Sequence, residues 1–409
     1  MEAVTYSTLS SQETLRDPVA FYARLREREP LTTFMLGPMK IWVIATTYEE
    51  TVSLMKDPRL VKDGRSVYQE GEAPEPLQQY MQQYGETLRL LTQNMLSADP
   101  PDHTRLRSLV SKAFTPRMIE QWHPRIQQIT DELLDAVQGR GQMDLVADFA
   151  APLPMTVISE MLGIPVEERA QFRTLTQALL HDLVIPGQES QAMAAGGTFI
   201  ASIRKLLVAK REQPGDDLIS GLLQVEEQGD RLSEDELVSM IWLLIVAGHE
   251  TTVNLLSNGA LALLQHPDQI RLLQQDPGLI PAAVEELLRF TAPVVFAGGR
   301  MAREDIPFHG QVIRKGEIVY ISSVAADTDP QEFSDPEMLD ITRQENRHIA
   351  FGKGIHSCLG APLARLEGQI AFSTLLRRLP NLRLGCEPES LVWNSIHNLR
   401  SLKSLPVTF

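Results

Sequence analysis

The residue best placed to carry chemistry is Cys358, which follows a glycine-rich run at residues 351–357, Phe-Gly-Lys-Gly-Ile-His-Ser. A helical pattern begins just after it and continues to Leu379, so the cysteine is predicted to lie at a helix N-terminus. The helix dipole and the N–H groups of the first turn favour a thiolate there. Gly360 removes a side chain where a flat cofactor could lie against the helix.

A single thiolate is the wrong ligand set for structural zinc or an iron–sulfur cluster, and it suits the axial position of a haem. The alternative for Cys358 is a core cysteine among incidental glycines, but the length of the run favours a ligand. The other cysteine, Cys386, is interpreted as a plain thiol. A dinucleotide-binding loop is excluded, because Ser357 stands where the third glycine of that motif belongs.

A second polar cluster, Ala-Gly-His-Glu-Thr-Thr at residues 247–252, directly follows a stretch that is apolar on every side. Such a stretch predicts a buried helix, and the small residues Ala247 and Gly248 leave room for a ligand. A zinc-peptidase site is excluded, because the His-Glu-x-x-His pattern begun by His249 ends in Val253.

Two patterns of charged residues are, when taken alone, weak evidence for a functional site. Glu286 and Arg289 form a Glu-x-x-Arg motif, which is typical of a surface ion pair between residues i and i+3. His103 and Arg107 lie one helical turn apart. A solvated surface role is the default interpretation of such cations.

The elements that must position these residues are mostly helices. The periodicity predicts helices over Asp102–Phe114, Pro116–Val137, Ala150–Leu162, Ser233–Gln265 and Pro281–Phe290. The helix at 233 begins with a capping box of Ser233 and Glu236. Strands are predicted at Ile41–Ala45 and in a hairpin of Gln311–Arg314 with Glu317–Ser322. Residues 326–350 are predicted to be irregular, and irregular runs of that length are usually functional.

Composition excludes several classes of protein. The 409 residues carry a net charge of −15, which disfavours binding to nucleic acid or anionic membranes. Two cysteines form no disulfide framework, and residues 1–11 carry no secretory signal. The longest apolar run, Met240–Gly248, is about half as long as a spanning helix requires. We therefore expect a cytoplasmic protein.

Taken together, the spaced motifs resemble the cytochrome P-450 superfamily, the haem-thiolate monooxygenases of soluble bacterial type, from about Asp17 to the end of the chain. The resemblance implies haem b with Cys358 as axial thiolate. It also implies a mainly α fold with small β-sheets and a long central helix over the haem. Residues 1–409 would form one domain, with β-rich parts near the N-terminus and around 306–325 and 385–409.

The resemblance also implies roles for individual residues. Thr251 would hold the bound dioxygen and Glu250 would relay protons. Cofactor contacts are expected from His103, Arg107, Arg300 and His356 at the propionates, and from Phe351, Ala247 and Gly360. Glu286 and Arg289 would lock onto Arg343 as structural support. Candidate substrate-lining residues are Leu243, Val246, Ala247, Val294, Val295 and Phe296.

The implied reaction inserts one atom of O₂ into a lipophilic small molecule by hydroxylation or epoxidation. A polyketide or macrolide, a terpenoid, a steroid or a fatty acid would fit, as in secondary metabolism. Electrons would come from a ferredoxin and an NAD(P)H-dependent ferredoxin reductase, with Lys112, Arg117, Arg347 and Lys353 as candidate docking cations. A peroxide-using peroxygenase is one alternative, which the Glu250-Thr251 pair disfavours. A non-enzymatic haem sensor is the other, and no output module is visible.

Overall fold

The computed structural model describes residues 4–36, 39–68, 72, 74–182, 187–225, 229–394 and 398–409. Packing divides the chain into two compact units. Unit 1 comprises Met1–Val67, His123–Leu153 and Glu250–Phe409, and unit 2 comprises Tyr68–Trp122 and Pro154–His249. The single domain predicted for residues 1–409 stays a prediction.

Helices dominate the described residues. In chain order they are α1 (Tyr6–Leu9), α2 (Gln12–Arg16), α3 (Pro18–Arg28), α4 (Tyr48–Lys56), α5 (Glu75–Thr92), α6 (Asp102–Ala113), α7 (Pro116–Gln121), α8 (His123–Gln138), α9 (Pro152–Leu162), α10 (Val166–Asp182), α11 (Glu189–Glu212), α12 (Leu218–Gln224), α13 (Glu234–Gln265), α14 (Pro267–Gln275), α15 (Ile280–Thr291), α16 (Ser323–Asp327) and α17 (Ala361–Arg378). The predicted class, mainly α with small sheets, is confirmed.

The strands all belong to unit 1. They are β1 (Leu31–Leu36), β2 (Met39–Ile44), β3 (Leu60–Val61), β4 (Gln142–Asp144), β5 (Arg300–Ala302), β6 (Ile306–Phe308), β7 (Gln311–Ile313), β8 (Ile318–Ile321), β9 (Arg383–Leu384) and β10 (Pro406–Thr408). They form a sheet of order β1-β2-β8-β5-β3, a sheet of order β4-β10-β9, and the pair β6-β7. β2 and β8 are parallel, and the other paired strands are antiparallel.

The predicted hairpin of Gln311–Arg314 with Glu317–Ser322 is wrong. Both segments contain strands, but β7 pairs with the preceding β6 while β8 pairs with β2 and β5. The predicted turn at Lys315-Gly316 is present. Strand pairing follows the burial of whole faces. In the five-stranded sheet β8 buries its apolar residues, and Val319 and Ile321 are fully buried there.

Most helix predictions need only small changes of boundary. The predicted helix Pro116–Val137 is two helices, α7 and α8, which meet at Trp122. The helix predicted from Ala150 begins at Pro152, after a π-helical turn at Val146–Ala150. The capping box is present, since the Glu236 amide N donates to Ser233 Oγ at 3.2 Å and the Ser233 amide N donates to Glu236 Oε2 at 2.8 Å.

Helix α17 lies in the core of unit 1, where it packs against α8, α15 and the C-terminal half of α13. A Cβ on Gly259 would come within 2.6 Å of Phe372 Cζ, and a Cβ on Gly368 within 3.3 Å of Leu255 Cδ2. Glycine at these positions therefore lets the two helices approach closely. Gly259 follows Leu255 by four residues on α13, and Phe372 follows Gly368 by four residues on α17. The two helices therefore run parallel here.

Two helices, α11 and α13, are long and apolar enough to cross a membrane by length and composition. Up to three spans would be counted if the bent pair Val146–Leu162 and Val166–Leu179 formed one. In the most apolar window of α13, 61% of the residues are buried inside the protein. Internal packing therefore accounts for much of the apolar character of this helix.

Glu367 is an acid buried in the middle of α17. Its side chain is 1% exposed, and Oε2 has no hydrogen-bond partner among the described residues. Burial raises the pKa of Glu367 from 4.5 to about 8. The folded protein therefore holds this carboxyl in its neutral form at neutral pH, because a buried unpaired charge is costly.

Replacing Glu367 with Gln should change how stability depends on pH. The folded-state pKa is raised, so the wild-type protein loses stability as pH rises from about 4.5 through 8, and Gln cannot ionise. Relative to wild type, Glu367→Gln should gain on the order of 1–3 kcal/mol between pH 5 and pH 9. Urea unfolding at both pH values measures this. Exposed Glu387→Gln is the control, and equal pH dependence of Glu367→Gln and wild type would contradict the account.

Candidate active site

The segment that carries Cys358 is a tight loop held by its own backbone. The Cys358 amide N donates to the Phe351 carbonyl at 2.9 Å, and the Gly352 amide N donates to the Ile349 carbonyl at 2.7 Å. Gly352 and Gly354 adopt φ of 68° and 78°, a left-handed conformation that favours glycine. The loop therefore fixes the backbone on the N-terminal side of the cysteine.

Cys358 itself is exposed, and it lies three residues before the first residue of α17. Gly360 is the N-cap of this helix, and a Cβ there would lie 3.9 Å from Cys358 Sγ. A Cβ at 360 would thus be in ordinary van der Waals contact with the sulfur. The helix N-terminus and the small neighbour are the environment in which a thiolate is stabilised and accessible.

The donor set agrees with a haem. Among the residues that the structure describes, no group of three or more His, Cys, Asp or Glu side chains could hold a metal ion. A porphyrin supplies the equatorial nitrogens itself and needs one axial ligand from the protein. The exposed sulfur beside Gly360 meets that need.

Glu286 and Arg289 form a buried ion pair on α15. Arg289 Nε and Nη2 donate to the two Glu286 oxygens at 2.8 and 2.7 Å, and both side chains are 0% exposed. Arg343 Nε donates to Glu286 Oε2 at 3.1 Å from the irregular segment before the cysteine loop. This geometry differs from the surface pair that the motif alone indicates.

The irregular segment of residues 328–350 and the residue before it, Asp327, receive several hydrogen bonds from this pair. Arg289 donates to the carbonyls of Asp327 and Pro336 at 2.8 Å, and to Met338 at 3.2 Å. Glu286 also accepts from the Asp340 amide and from Asn346 Nδ2. Asn346 carried no sequence signal, because its role depends on where an irregular backbone folds.

A second carboxylate on α15, Glu285, holds another cluster that the sequence analysis missed. Arg365 of α17 donates to both Glu285 oxygens at 2.7 and 2.8 Å, and His348 Nε2 lies 3.1 Å from Oε2. Burial would raise the pKa of Glu285, but hydrogen bonds from His348 and Arg365 and the charge of Arg365 outweigh it and lower the pKa to about 2. The only available signal was the Glu-Glu doublet at 285–286.

The acid and the alcohol lie on α13, which is helical from Glu234 to Gln265. Glu250 is 8% exposed, and Thr251 is half-buried. Ala247, one turn before, belongs to unit 2 and is exposed. A carboxylate and a hydroxyl at adjacent positions can both hold protons.

The candidate propionate ligands lie in both units. His103 (buried) and Arg107 (half-buried) are on α6 of unit 2. Arg300 begins β5 in unit 1 and is 5% exposed, and His356 lies in the 3₁₀ turn Gly354–His356 before Cys358. Each cation is thus on an ordered element.

The candidate substrate-lining residues differ in how deeply they are buried. Val295 and Phe296 are 2% and 1% exposed, in a core cluster with Tyr22 and Ile41, whereas Val294 is half-buried. Val295 and Phe296 thus have a packing role, and their place in a substrate wall stays a prediction. On α13 of unit 2, Leu243 is buried, Val246 is half-buried and Ala247 is exposed.

The candidate docking cations differ in their surroundings. Lys112 and Arg117 are exposed in unit 2. Arg347 in unit 1 is exposed but lies 3.8 Å from Glu332 and 3.5 Å from Glu345, which offset its charge. Lys353 is half-buried in the cysteine loop.

Comparison with known proteins decides the family. The Cytochrome P450 family profile matches residues 40–382. This chain is a cytochrome P450. It is 54% identical over 422 aligned positions to Cytochrome P450 CYP107DY1 of Priestia megaterium, across 100% of both chains. The cofactor of this cytochrome P450 is haem b with a cysteine thiolate ligand, and the enzyme is a monooxygenase.

Two solved structures support the same conclusion for this cytochrome P450. Polyketide biosynthesis cytochrome P450 PksS of Bacillus subtilis is 44% identical over 96% of each chain. Its structure has a TM-score of 0.90 at 43% identity, covering 98% of each chain. Myxobacterial CYP267B1 in complex with myristic acid has a TM-score of 0.91 at 46% identity, covering 98% of this chain and 99% of that one.

Substitution Glu286→Gln should destabilise the cytochrome P450 strongly. It leaves the buried Arg289 without its counter-ion, which typically costs about 3–5 kcal/mol. Chemical unfolding followed by circular dichroism measures the loss, and the haem content of the purified variant should fall with it. Glu345→Gln is the matched control, because Glu345 lies in the irregular segment that Glu286 contacts but is itself 84% exposed. A loss below about 1 kcal/mol for Glu286→Gln would contradict the structural role.

Proposed function

We propose that this cytochrome P450 hydroxylates or epoxidises a lipophilic small molecule with electrons from a separate ferredoxin and its NAD(P)H-dependent reductase. The observation that carries the proposal is Cys358, exposed at the N-terminus of α17 with its amide bonded to the Phe351 carbonyl. Bound there, haem supplies the reductive activation of O₂ and the oxygen transfer. The protein supplies ligand, orientation and protons.

The thiolate ligand is the first contribution of the chain. The loop backbone and Gly360 position the Cys358 sulfur, and the α17 dipole favours its negative charge. As the ligand of a bound haem, this thiolate would supply electron density to the iron. Phe351 would pack on the same side of the cofactor. His103, Arg107, Arg300 and His356 would neutralise the two propionates by charge-assisted hydrogen bonds.

Proton supply is the second contribution. Glu250 is buried in the helix beside Thr251, whose hydroxyl can both donate and accept a hydrogen bond. We assign Glu250 to deliver protons and Thr251 to hold one at its Oγ1 toward the oxygen substrate. Ala247 leaves room beside them because it carries only a methyl group.

The substrate is proposed to be a polyketide or a fatty acyl compound. The residues assigned to its wall, Leu243, Val246, Ala247 and Val294, are all apolar, so recognition would rest mainly on buried hydrophobic area. The relative PksS is named for polyketide biosynthesis, and the CYP267B1 structure holds myristic acid. These names favour two of the four substrate classes that the sequence allows.

Electron transfer would use the exposed cations Lys112 and Arg117, with Lys353, as contacts for an acidic ferredoxin. Arg347 is the weakest candidate, because Glu332 and Glu345 offset its charge. We also propose a cytoplasmic location, where reduced nicotinamide cofactors are available. A role in secondary metabolism fits the polyketide relative.

Ligation by Cys358 has a direct spectroscopic test. The dithionite-reduced wild-type protein with carbon monoxide should show the strongly red-shifted Soret band of thiolate-ligated haem, and Cys358→Ser should lose it. Cys386→Ser is the matched control and should keep the band. A red-shifted band in Cys358→Ser, or a histidine-type band in undamaged wild type, would contradict the assignment.

The proton-holding role predicts uncoupling in Thr251→Ala. With a bound substrate, NADPH consumption should continue while product per NADPH falls about tenfold or more, and hydrogen peroxide should account for the difference. Thr252→Ala tests the neighbouring hydroxyl and should stay coupled. If the two variants were equally coupled, Thr251 would have no special role.

The substrate class is testable by titrating the ferric enzyme with macrolactones and with C12–C18 fatty acids. Binding over the haem should shift the Soret band toward the high-spin position, and turnover with a ferredoxin and reductase should add one oxygen atom to the product. Terpenoid and steroid panels serve as comparison. Spectral shifts and turnover confined to those panels would contradict the proposed class.

A further inference from the structure

A second ion-pair cluster lies next to the buried Glu286–Arg289 pair and differs from it in exposure. Glu285 and Arg365 form a bidentate pair at 2.7 and 2.8 Å, with side chains 26% and 37% exposed. His348, 3% exposed, adds a hydrogen bond at 3.1 Å. Since His348 Nδ1 accepts the Ala350 amide at 3.2 Å, its Nε2 carries the hydrogen and donates to Glu285.

Two residues of this cluster contact the aromatic residue of the cysteine loop. The Arg365 guanidinium lies 4.6 Å from the centre of the Phe351 ring, and the His348 ring centre lies 5.9 Å from it. The Phe351 carbonyl in turn accepts the Cys358 amide at 2.9 Å. Glu285 therefore joins the chain ten residues before the cysteine to the helix seven residues after it.

The charge of Arg365 interacts with that of Cys358. The pKa of Arg365 is raised chiefly by its hydrogen bonds to Glu285, against the effect of burial, and further by the charges of Glu285 and Cys358. Glu285 is fully ionised at neutral pH because hydrogen bonds and the Arg365 charge hold its pKa near 2. One cation and one anion thus lie close to the thiolate loop.

We propose that Glu285 and Arg365 are a pair of opposed charges that tune the reduction potential of the haem iron through the Cys358 thiolate. The positive charge of Arg365 favours the form that has gained an electron, and the carboxylate of Glu285 opposes it. The proposal rests on ligation by Cys358.

Exposure distinguishes this role from that of the neighbouring pair. Glu286 and Arg289 are sealed from water, and their bonds go to backbone groups of the irregular segment. Arg365 instead directs its hydrogen bonds to a side chain and its face to Phe351. A partly exposed pair contributes little to stability but keeps an electrostatic effect that salt weakens.

The test is a potentiometric titration of the holoenzyme in three variants at low ionic strength. Glu285→Gln leaves Arg365 unopposed and should raise the potential, whereas Arg365→Gln leaves Glu285 unopposed and should lower it. Each should change the equilibrium constant of one-electron reduction about three- to tenfold, where tenfold is about 59 mV. The double variant should lie between them, and high salt should shrink all the shifts.

The opposite signs separate tuning from mere loosening of the loop, which would move both single variants the same way. Arg365→Lys keeps the charge and should stay near wild type. Arg377→Gln, which removes an exposed charge from the same helix, is the matched control. Shifts of equal sign, shifts no larger than that of Arg377→Gln, or loss of haem from every variant would overturn the proposal.

The ferrous–carbon monoxide spectrum of each variant separates this proposal from the one it rests on. If wild type lacks the red-shifted band, ligation by Cys358 fails and the tuning proposal fails with it. If every variant keeps the band but the potentials do not move, ligation stands and only the tuning by Glu285 and Arg365 is overturned.

Discussion

The structure of unit 1 depends on one buried carboxylate–guanidinium pair. Glu286 and Arg289 belong to the same helix, yet their remaining hydrogen bonds all go to residues outside it. A segment without regular secondary structure leaves part of its backbone groups to other partners, and an unpaired buried carbonyl is costly. The pair supplies several of those partners, which helps to give the backbone that leads into the cysteine loop a defined course.

The course of this backbone determines where the Cys358 sulfur lies. The loop that follows ends on a backbone bond between residues 351 and 358, and α17 then carries the chain into the core against α8 and α15. The sulfur is held at the junction of an irregular segment and a rigid helix. Glu285, next to Glu286 on α15, adds a partly solvated contact to the same junction. Glu286 thus helps to fix the backbone before the cysteine loop. Glu285, the preceding residue on α15, is the one proposed to adjust the reduction potential of the haem iron.

Local signals were sufficient for the helices and for the glycine-rich loop before Cys358. The capping box at Ser233 and the glycines before Cys358 are short-range patterns, and each lies where the sequence indicated. The Glu-x-x-Arg motif lies on the predicted helix, but its side chains are buried, unlike the surface pair that the motif alone indicates. Long-range choices were not predictable. β8 joins the five-stranded sheet instead of the expected hairpin. Glu285, His348 and Arg365 come together only through tertiary packing, so no spacing rule could have grouped them.

The close approach of α13 and α17 has a consequence for the history of this sequence. A methyl group on Gly259 would meet the Phe372 ring at 2.6 Å, so neither position can enlarge by itself. A lineage that acquired alanine at 259 would need a smaller or displaced side chain at 372, since close-packed interiors tolerate volume changes poorly. Positions 259 and 372 should therefore co-vary among relatives, although neither touches a reacting group.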